Sequence, residues 1–467
     1  MVGGQSALGV PAALKRFVER DGRIGEHVLF HYAWVIVAVG AVGQMAGSSI
    51  RLAFGVVVDP LVNEFGWSAG AVGFGYALMS IVTALCSPVA GWLGTRFGAR
   101  RTMATGVALF LAGMLWTSQV SHLWELYVSY GLIFGVAQAM FLVPIIPVVA
   151  SWFRRHLGLG TGIMMISWSL GPAIVVQAMA LMFERVGWSE TFVITGTAGA
   201  AVMGLALLLF RDTPEQAGKT AYGWREGDRP LVTSGEQYRA HAKQFQKYIY
   251  RTNAFWNLIN VHFLGCVGHA VILVGLVPMA IHRGMSPIAA AGVLTTVSVV
   301  SVVMRFMAPV LSDRIGSKGV MFFSFLGQGA GVLLFLMADT PAQFYTFAVI
   351  WAIPYGGEGT AFPVINRQYY GHVPMGPTYG WQLLGAGMGM ALGGLVPGVV
   401  FDFTGGYTWA IVLSAGFSLA GAAAIVLLEP TRRLLIPDWE QLSGQSEEVA
   451  EAHAAAALAA AAVSPGD

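Results

Sequence analysis

The chain has 467 residues, a formal net charge of +2 at pH 7, 56% hydrophobic residues and only 11% charged ones. Soluble domains carry about 25% charged residues, so a water-soluble globular protein is excluded, and the near-neutral balance calls for no nucleic-acid partner. The apolar residues gather into about a dozen runs, each long enough to cross a ~30 Å hydrocarbon core at ~1.5 Å per residue.

In chain order, residues 1–30 are charged and lack an apolar core, so they read as a cytoplasmic segment and not a cleaved signal peptide. Membrane spans are expected at 33–58, 69–94, 102–120, 125–150, 159–184 and 190–210. A polar stretch at 211–253 separates them from six more, at 254–281, 288–312, 319–338, 343–366, 377–402 and 407–428. The unbroken length of the runs selects helices over barrel strands, which are shorter and alternate. The expected fold is an all-α polytopic membrane protein of twelve transmembrane helices in two pseudo-symmetric six-helix bundles, 31–210 and 254–428. Residues 429–467 include the Ala-rich "EEVAEAHAAAALAAAAV", which has no clear apolar face and reads as a frayed or disordered cytoplasmic tail.

Basic residues set the orientation. Of 26 Lys and Arg, Arg185 and Arg283 fall in loops on one side, and Arg51 and Arg305 lie within spans. The remaining 22 fall on the opposite side, in the termini, the 211–253 loop and the loops after even-numbered spans. Both termini and the central loop are therefore expected in the cytoplasm of a multi-pass inner-membrane protein. Cys86 and Cys266 both lie in apolar spans, where small buried side chains are the better reading than a disulfide or thiolate metal site.

The two halves carry a repeat. "GWLGTRFGARRTM" (91–103) precedes "PVLSDRIGSKGVM" (309–321) by 218 residues, each after the second span of its half. At the same offset, "GWSETFVITG" (187–196) matches "GGYTWAIVLS" (405–414). Transporters built from repeats bind their cargo between them.

The two loops resemble the signature loop of the major facilitator superfamily, and with twelve spans and the long middle loop the resemblance covers nearly the whole chain. Gly91, Arg96, Gly98 and Arg100 in the first loop, and Asp313, Arg314, Gly316 and Lys318 in the second, take the motif positions that the resemblance links to conformational change. "FGVVVDPLVNEFGWS" (54–68), "ASWFRRHLGLGTGI" (150–163) and "GMALGGLVPGVVFDFTGGY" (389–407) are similar to the monocarboxylate and oxalate/formate branch. That branch implies a substrate-carboxylate arginine about eight residues before the loop aspartate, which falls on Arg305 before Asp313, and a basic residue in the first helix, nearest to Arg51. Two positions depart from it. Thr95 stands where the first loop's aspartate is expected, which weakens a charged latch there, and Ser301 stands where some relatives place a proton-carrying aspartate.

Depth gives Arg51 and Arg305 their chemistry. Each lies eight residues from the aspartate at its membrane edge, Asp59 and Asp313, hence ~12 Å deep. A central Arg costs ~2.5–3.5 kcal/mol on insertion scales, so each is expected to face a cavity or a partner. Its planar, permanently charged fork suits a carboxylate. Gln44, Ser48 and Arg51 share one helix stripe, and Ser298, Ser301 and Arg305 share another. Glu358 lies mid-span with Trp351 and Tyr355 on its stripe, and is expected to pair with an arginine or to carry a proton. Ionised Glu358 would leave the two arginines with one net positive charge, suited to a monoanion; protonated, it would leave two, suited to a dianion. His262 and His269 on the seventh span are proton-path candidates, against simple interhelical bonding. Tyr127, Tyr130, Phe134 and Gln138 form a fourth-span stripe read as packing before cavity lining. "GAGMGMALGG" (385–394) has G-x-G spacing but lies in an apolar span, where close helix contact explains the glycines.

No catalytic constellation, cofactor motif or metal-ligand spacing is visible. The expectation is a non-enzymatic secondary carrier for a small mono- or dicarboxylate, driven by a proton or an exchanged anion and acting as a monomer in the bilayer. The substrate site is expected from Arg305, Arg51, Gln44, Ser301 and Tyr355. An exporter of amphipathic compounds and a non-transporting receptor are the alternatives.

Overall fold

The computed structural model describes residues 31–226, 228, 235–373 and 375–437; the readings made for 1–30 and for 438–467 lie outside the described residues. Among these residues the elements are helical, apart from one isolated bridge between Phe153 and Tyr222. The first half contains α1 (Tyr32–Phe65), α2 (Ala69–Phe97), α3 (Ala99–Thr117), α4 (Leu123–Trp152), α5 (Leu157–Met165) and α6 (Ser167–Leu208). The helix α7 (Gly235–Ile249) follows. The second half contains α8 (Asn253–His282), α9 (Pro287–Ile315), α10 (Ser317–Met337), α11 (Pro341–Glu358), α12 (Phe362–Tyr370), α13 (Gly376–Thr404) and α14 (Thr408–Val426).

These make twelve crossings. α5 joins the first part of α6 as the fifth, and α6 beyond non-helical Gly187 is the sixth. Helices α11 and α12 together form the tenth. Among the described residues, nine helices are long and apolar enough to span alone.

The tenth span is not the single helix expected over 343–366. It stops at Glu358 and restarts at Phe362, because Pro363 has no N–H to continue the hydrogen-bond ladder. The 211–253 segment is likewise more than a loop. Tyr222 donates its N–H to the Trp152 carbonyl (2.7 Å) and accepts from the Arg154 N–H (2.9 Å), and α7 buries Ala242, Phe245 and Ile249. A π-helical turn at Tyr127–Ile133 interrupts α4.

The 218-residue offset runs through the backbone. Ser68 caps α2 by accepting from Ala71 N–H, and Ser286 caps α9 by accepting from Ala289 N–H. The Tyr127 hydroxyl donates to the Ala71 carbonyl at 2.9 Å, and its counterpart Tyr345 donates to Ala289 at 3.0 Å. Glu125 accepts the His122 N–H as Gln343 accepts that of Thr340, both at 3.0 Å. Gly98 and Gly316, at the tight turns of the two signature loops, have φ/ψ of 95°/143° and 92°/141°, a region open to glycine and strained for other residues.

The face carrying those two turns and the 211–253 segment is called the basic face below. There the halves touch backbone to backbone. A Cβ on Gly91 (α2) would lie 2.3 Å from the Gly376 carbonyl oxygen, and one on Gly158 (α5) 2.0 Å from that of Pro309 (α9). Arg367 (α12) crosses the same seam, donating to the carbonyls of Phe153 (3.0 Å) and Ala150. A large apolar cluster runs through the first half and on to Phe255, Phe325 and Tyr369 in the second; another packs Phe335, Phe344 and Trp351.

Candidate functional site

Arg51 and Arg305 come from the two halves and are held only by neutral partners. The Arg51 Nε donates to the Tyr76 hydroxyl (3.2 Å), and its Nη2 lies 3.4 Å from Ser80 Oγ and 3.3 Å from Met390 Sδ. Met390 belongs to α13, so Arg51 reaches across to the second half. Arg305 Nη2 donates to the Tyr355 hydroxyl (2.8 Å), with the guanidinium 5.0 Å from the centre of that ring. Trp351 stacks on the same tyrosine ring at 4.9 Å and 4°. Arg305 Nε is buried with no hydrogen-bond partner. Ion pairs among the described residues include His122–Glu125, Arg154–Asp228, Arg155–Asp228, His269–Glu358 and Arg283–Asp339, and none of these involves either mid-membrane arginine.

Of the two roles expected for Glu358, pairing with an arginine is not seen: its partner is a histidine. Its Oε2 lies 2.7 Å from His269 Nδ1, and the residue is 1% exposed. Its Oε1 has no hydrogen-bond partner and sits against Gly265, where a Cβ would come within 2.1 Å. Cys266 completes the group, with one ligand-type atom of each of the three within 4.8 Å of the others. No metal-ligand spacing is legible in the sequence here, because Glu358 reaches Cys266 and His269 only through the packing of α11 on α8.

The cluster connects to both arginines. The His269 ring lies 5.3 Å from that of Tyr355, the partner of Arg305. A Cβ on Gly389, the residue before the Met390 that Arg51 contacts, would lie 2.9 Å from Cys266 Cβ. Arg51, His269, Glu358, Tyr355 and Arg305 thus share one mid-membrane region.

The other expected residues are distributed more widely. Gln44 is buried and accepts from Ser167 (3.3 Å). Ser301 contacts Ser169 across the halves (3.0 Å) and donates to the Ser298 carbonyl (2.8 Å), so both residues join helices. His262 stacks on Phe362 at 4.0 Å and 14°, beside the break between α11 and α12. On α4, Tyr130 and Phe134 stack in the core (5.1 Å), and Gln138 donates to the Gly47 carbonyl (2.7 Å). Tyr76, Ser80 and Met390, which hold Arg51, were not singled out by the sequence: the first two lie on the next helix, α2, and the third on α13, and helical periodicity does not say which helix Arg51 faces. At the 218-residue offset, Arg51 corresponds to His269 and Gln44 to His262, so the first helix of each half presents polar side chains at equivalent positions.

The signature loops meet at the basic face. Asp313 Oδ2 accepts the Gly158 N–H across the seam (2.6 Å). The equivalent pair in the repeat is Thr95 and Gly376. Thr95 spends its hydroxyl on the Gly91 carbonyl (3.0 Å), and a Cβ on Gly376 would lie 2.6 Å from it. Arg96 lies 5.4 Å and 5.5 Å from the rings of Trp92 and Phe97. Arg100 N–H donates to Asp212 (2.8 Å), whose carboxyl burial nonetheless lifts above its ordinary value. Lys318 donates to the Val426 carbonyl (3.0 Å) and to that of Leu428, and Arg314 is exposed at the turn. Asp228 takes a bidentate grip from Arg155 (2.7 and 2.9 Å) and a further contact from Arg154 Nε (3.1 Å). The Arg155 hydrogen bonds hold its carboxyl well below the ordinary range.

Comparison with known proteins fits this architecture. The family model described as Major Facilitator Superfamily matches residues 37–376 and again 261–463. The uncharacterized MFS-type transporter YhjX of Escherichia coli is 29% identical over 68% of this chain and 76% of its own. Monocarboxylate transporter 12 of Mus musculus is 22% identical over 83% of each chain, and the oxalate:formate antiporter of Oxalobacter formigenes 24% identical over 77% of this chain and 84% of its own. The solved proton:xylose symporter XylE shares the fold with a TM-score of 0.67 and 15% identity, over 86% of this chain and 98% of that one. Twelve crossings, two repeats joined at facing glycines, and a family match along most of the length converge: the chain belongs to the Major Facilitator Superfamily.

Proposed function

We propose that this protein is a secondary carrier for a small organic anion, a mono- or dicarboxylate, moved by alternating access between the halves 31–210 and 254–428. The observation that carries this reading is the pair of mid-membrane guanidiniums, Arg51 and Arg305, one from each half, both held by hydroxyls, an aromatic ring or a thioether and by no carboxylate. Arginine at this depth is stable only with compensation, and a carboxylate matches its planar fork. The unpartnered Nε of Arg305 is a donor left over for that cargo. The names of two relatives, a monocarboxylate transporter and an oxalate:formate antiporter, support the same substrate class.

Positive residues outside the spans assign the basic face to the cytoplasm and the protein to the inner membrane. The seal at that face supports an outward-facing state, and alternating access between two halves of one chain needs only a monomer. Transport is driven by proton symport or anion exchange.

Counterflow in proteoliposomes against a panel of mono- and dicarboxylates tests the reading. Carboxylates are expected to compete and hydrophobic cations to have no effect; the reverse pattern would favour an exporter of amphipathic compounds. Arg305→Ala is expected to abolish transport with membrane expression intact, and Arg305→Lys to recover little, because a point ammonium cannot reproduce the fork. Normal uptake by the alanine variant would end the role given to Arg305.

A further inference from the structure

We infer that Cys266, His269 and Glu358 form a binding site for one thiophilic first-row divalent cation, of the Zn2+ class. Cys266 and His269 stand three residues apart on α8 and so share a face, while Glu358 ends α11 opposite them. One atom of each lies within 4.8 Å of the other two. Tetrahedral Zn2+, with bonds of about 2.0–2.3 Å, holds its ligands roughly 3.3–3.8 Å apart. Small side-chain movements therefore close the cage without moving a helix. All three residues are at least nine-tenths buried.

A second observation points the same way. Glu358 Oε1 is buried with no donor, pressed against the Gly265 backbone where no side chain can enter. A buried carboxylate oxygen without a partner is costly, and a cation supplies what the helices leave out. The sulfur–nitrogen–oxygen donor set selects among metals: Mg2+ and Ca2+ demand oxygen ligands, whereas thiolate and imidazole suit Zn2+ and its neighbours. Three protein ligands leave one coordination position open. The charge of Arg51 opposes a cation here, but its guanidinium is tied to Tyr76, Ser80 and Met390. Binding converts the Cys266 thiol to a thiolate and releases its proton. The site stands whether or not the cargo is a carboxylate.

Cobalt titration of the purified full chain tests it without any transport assay. The chain has two cysteines, and Cys86 lies on α2, outside the cluster. Co2+ is expected to bind with a thiolate-to-cobalt charge-transfer band that Zn2+ displaces. The band is expected to persist in Cys86→Ser and vanish in Cys266→Ser, and Glu358→Gln and His269→Gln are each expected to weaken binding about tenfold or more. Alkylation in the Cys86→Ser background gives a readout that needs no change at the site: Zn2+ is expected to protect Cys266. Absence of a band in the unmodified protein, its survival in Cys266→Ser, unchanged affinity in Glu358→Gln, or equal alkylation with and without Zn2+ would overturn the assignment.

Discussion

Tyr355 engages Arg305 twice, through its hydroxyl and through its ring, and Trp351 stacked on it fixes the ring's tilt. Tyr355→Phe keeps the stack and removes only the hydroxyl. A hydrogen bond to a charged group contributes about 1.5–3 kcal/mol, so the variant is expected to raise the apparent KM for the transported anion about tenfold while folding normally; an unchanged KM in proteoliposome uptake would mean that the hydroxyl does not position Arg305. Arg305, Arg51 and Glu358 stand out as candidates in the sequence because charge at membrane depth is rare and expensive. Their partners do not. Helical periodicity tells which side chains share a face, not which helix that face meets, and so His269 took the place expected of an arginine beside Glu358.

The elements that seal the basic face are related by the repeat but differ in chemistry. Asp313 places a carboxylate on the N-terminus of α5, while Thr95, at the equivalent position, turns its hydroxyl back onto its own helix. A carboxylate at a helix N-terminus contributes about 0.5–2 kcal/mol. Thr95→Asp is therefore expected to strengthen the seal and slow turnover, measured as reduced alkylation of a cysteine placed at Ala150, which Arg367 covers in this state. The strap after α6 is held by Asp228. Because Arg155 depresses that carboxyl below its ordinary value of 3.8, the clamp is fully present above the ordinary carboxylate range and lost only as pH falls through the depressed value. Limited proteolysis at 222–226 is thus expected to be slow and independent of pH from about 5 to 8, and faster in Asp228→Asn. Neither the strap nor the break in the tenth span was legible: one depends on a long-range arginine fork, and the other on how a single proline acts within an otherwise apolar run.

For the whole molecule, the repeat was legible at glycines and turns because backbone geometry restricts which residues can stand there. Gly98 and Gly316 keep nearly the same conformation across 218 residues. At the candidate site the copies have diverged, Arg51 against His269 and Gln44 against His262, so sequence matching passes over these positions. The contacts of Tyr222 and Asp228 lie with residues 152–155 of the first half. Cutting the chain between 226 and 235 is therefore expected to leave two co-expressed fragments that reassemble and transport; failure of the pair to assemble in membranes would show that the connection itself holds the halves together.

On the proposed function, two guanidiniums without a carboxylate also govern how the carrier returns. Rocking them through low dielectric uncompensated is unfavourable, whereas a bound acid travelling with them screens the field. The return stroke should then run fastest when it too is loaded, so that unlabelled acid inside a vesicle accelerates entry of the labelled acid from outside.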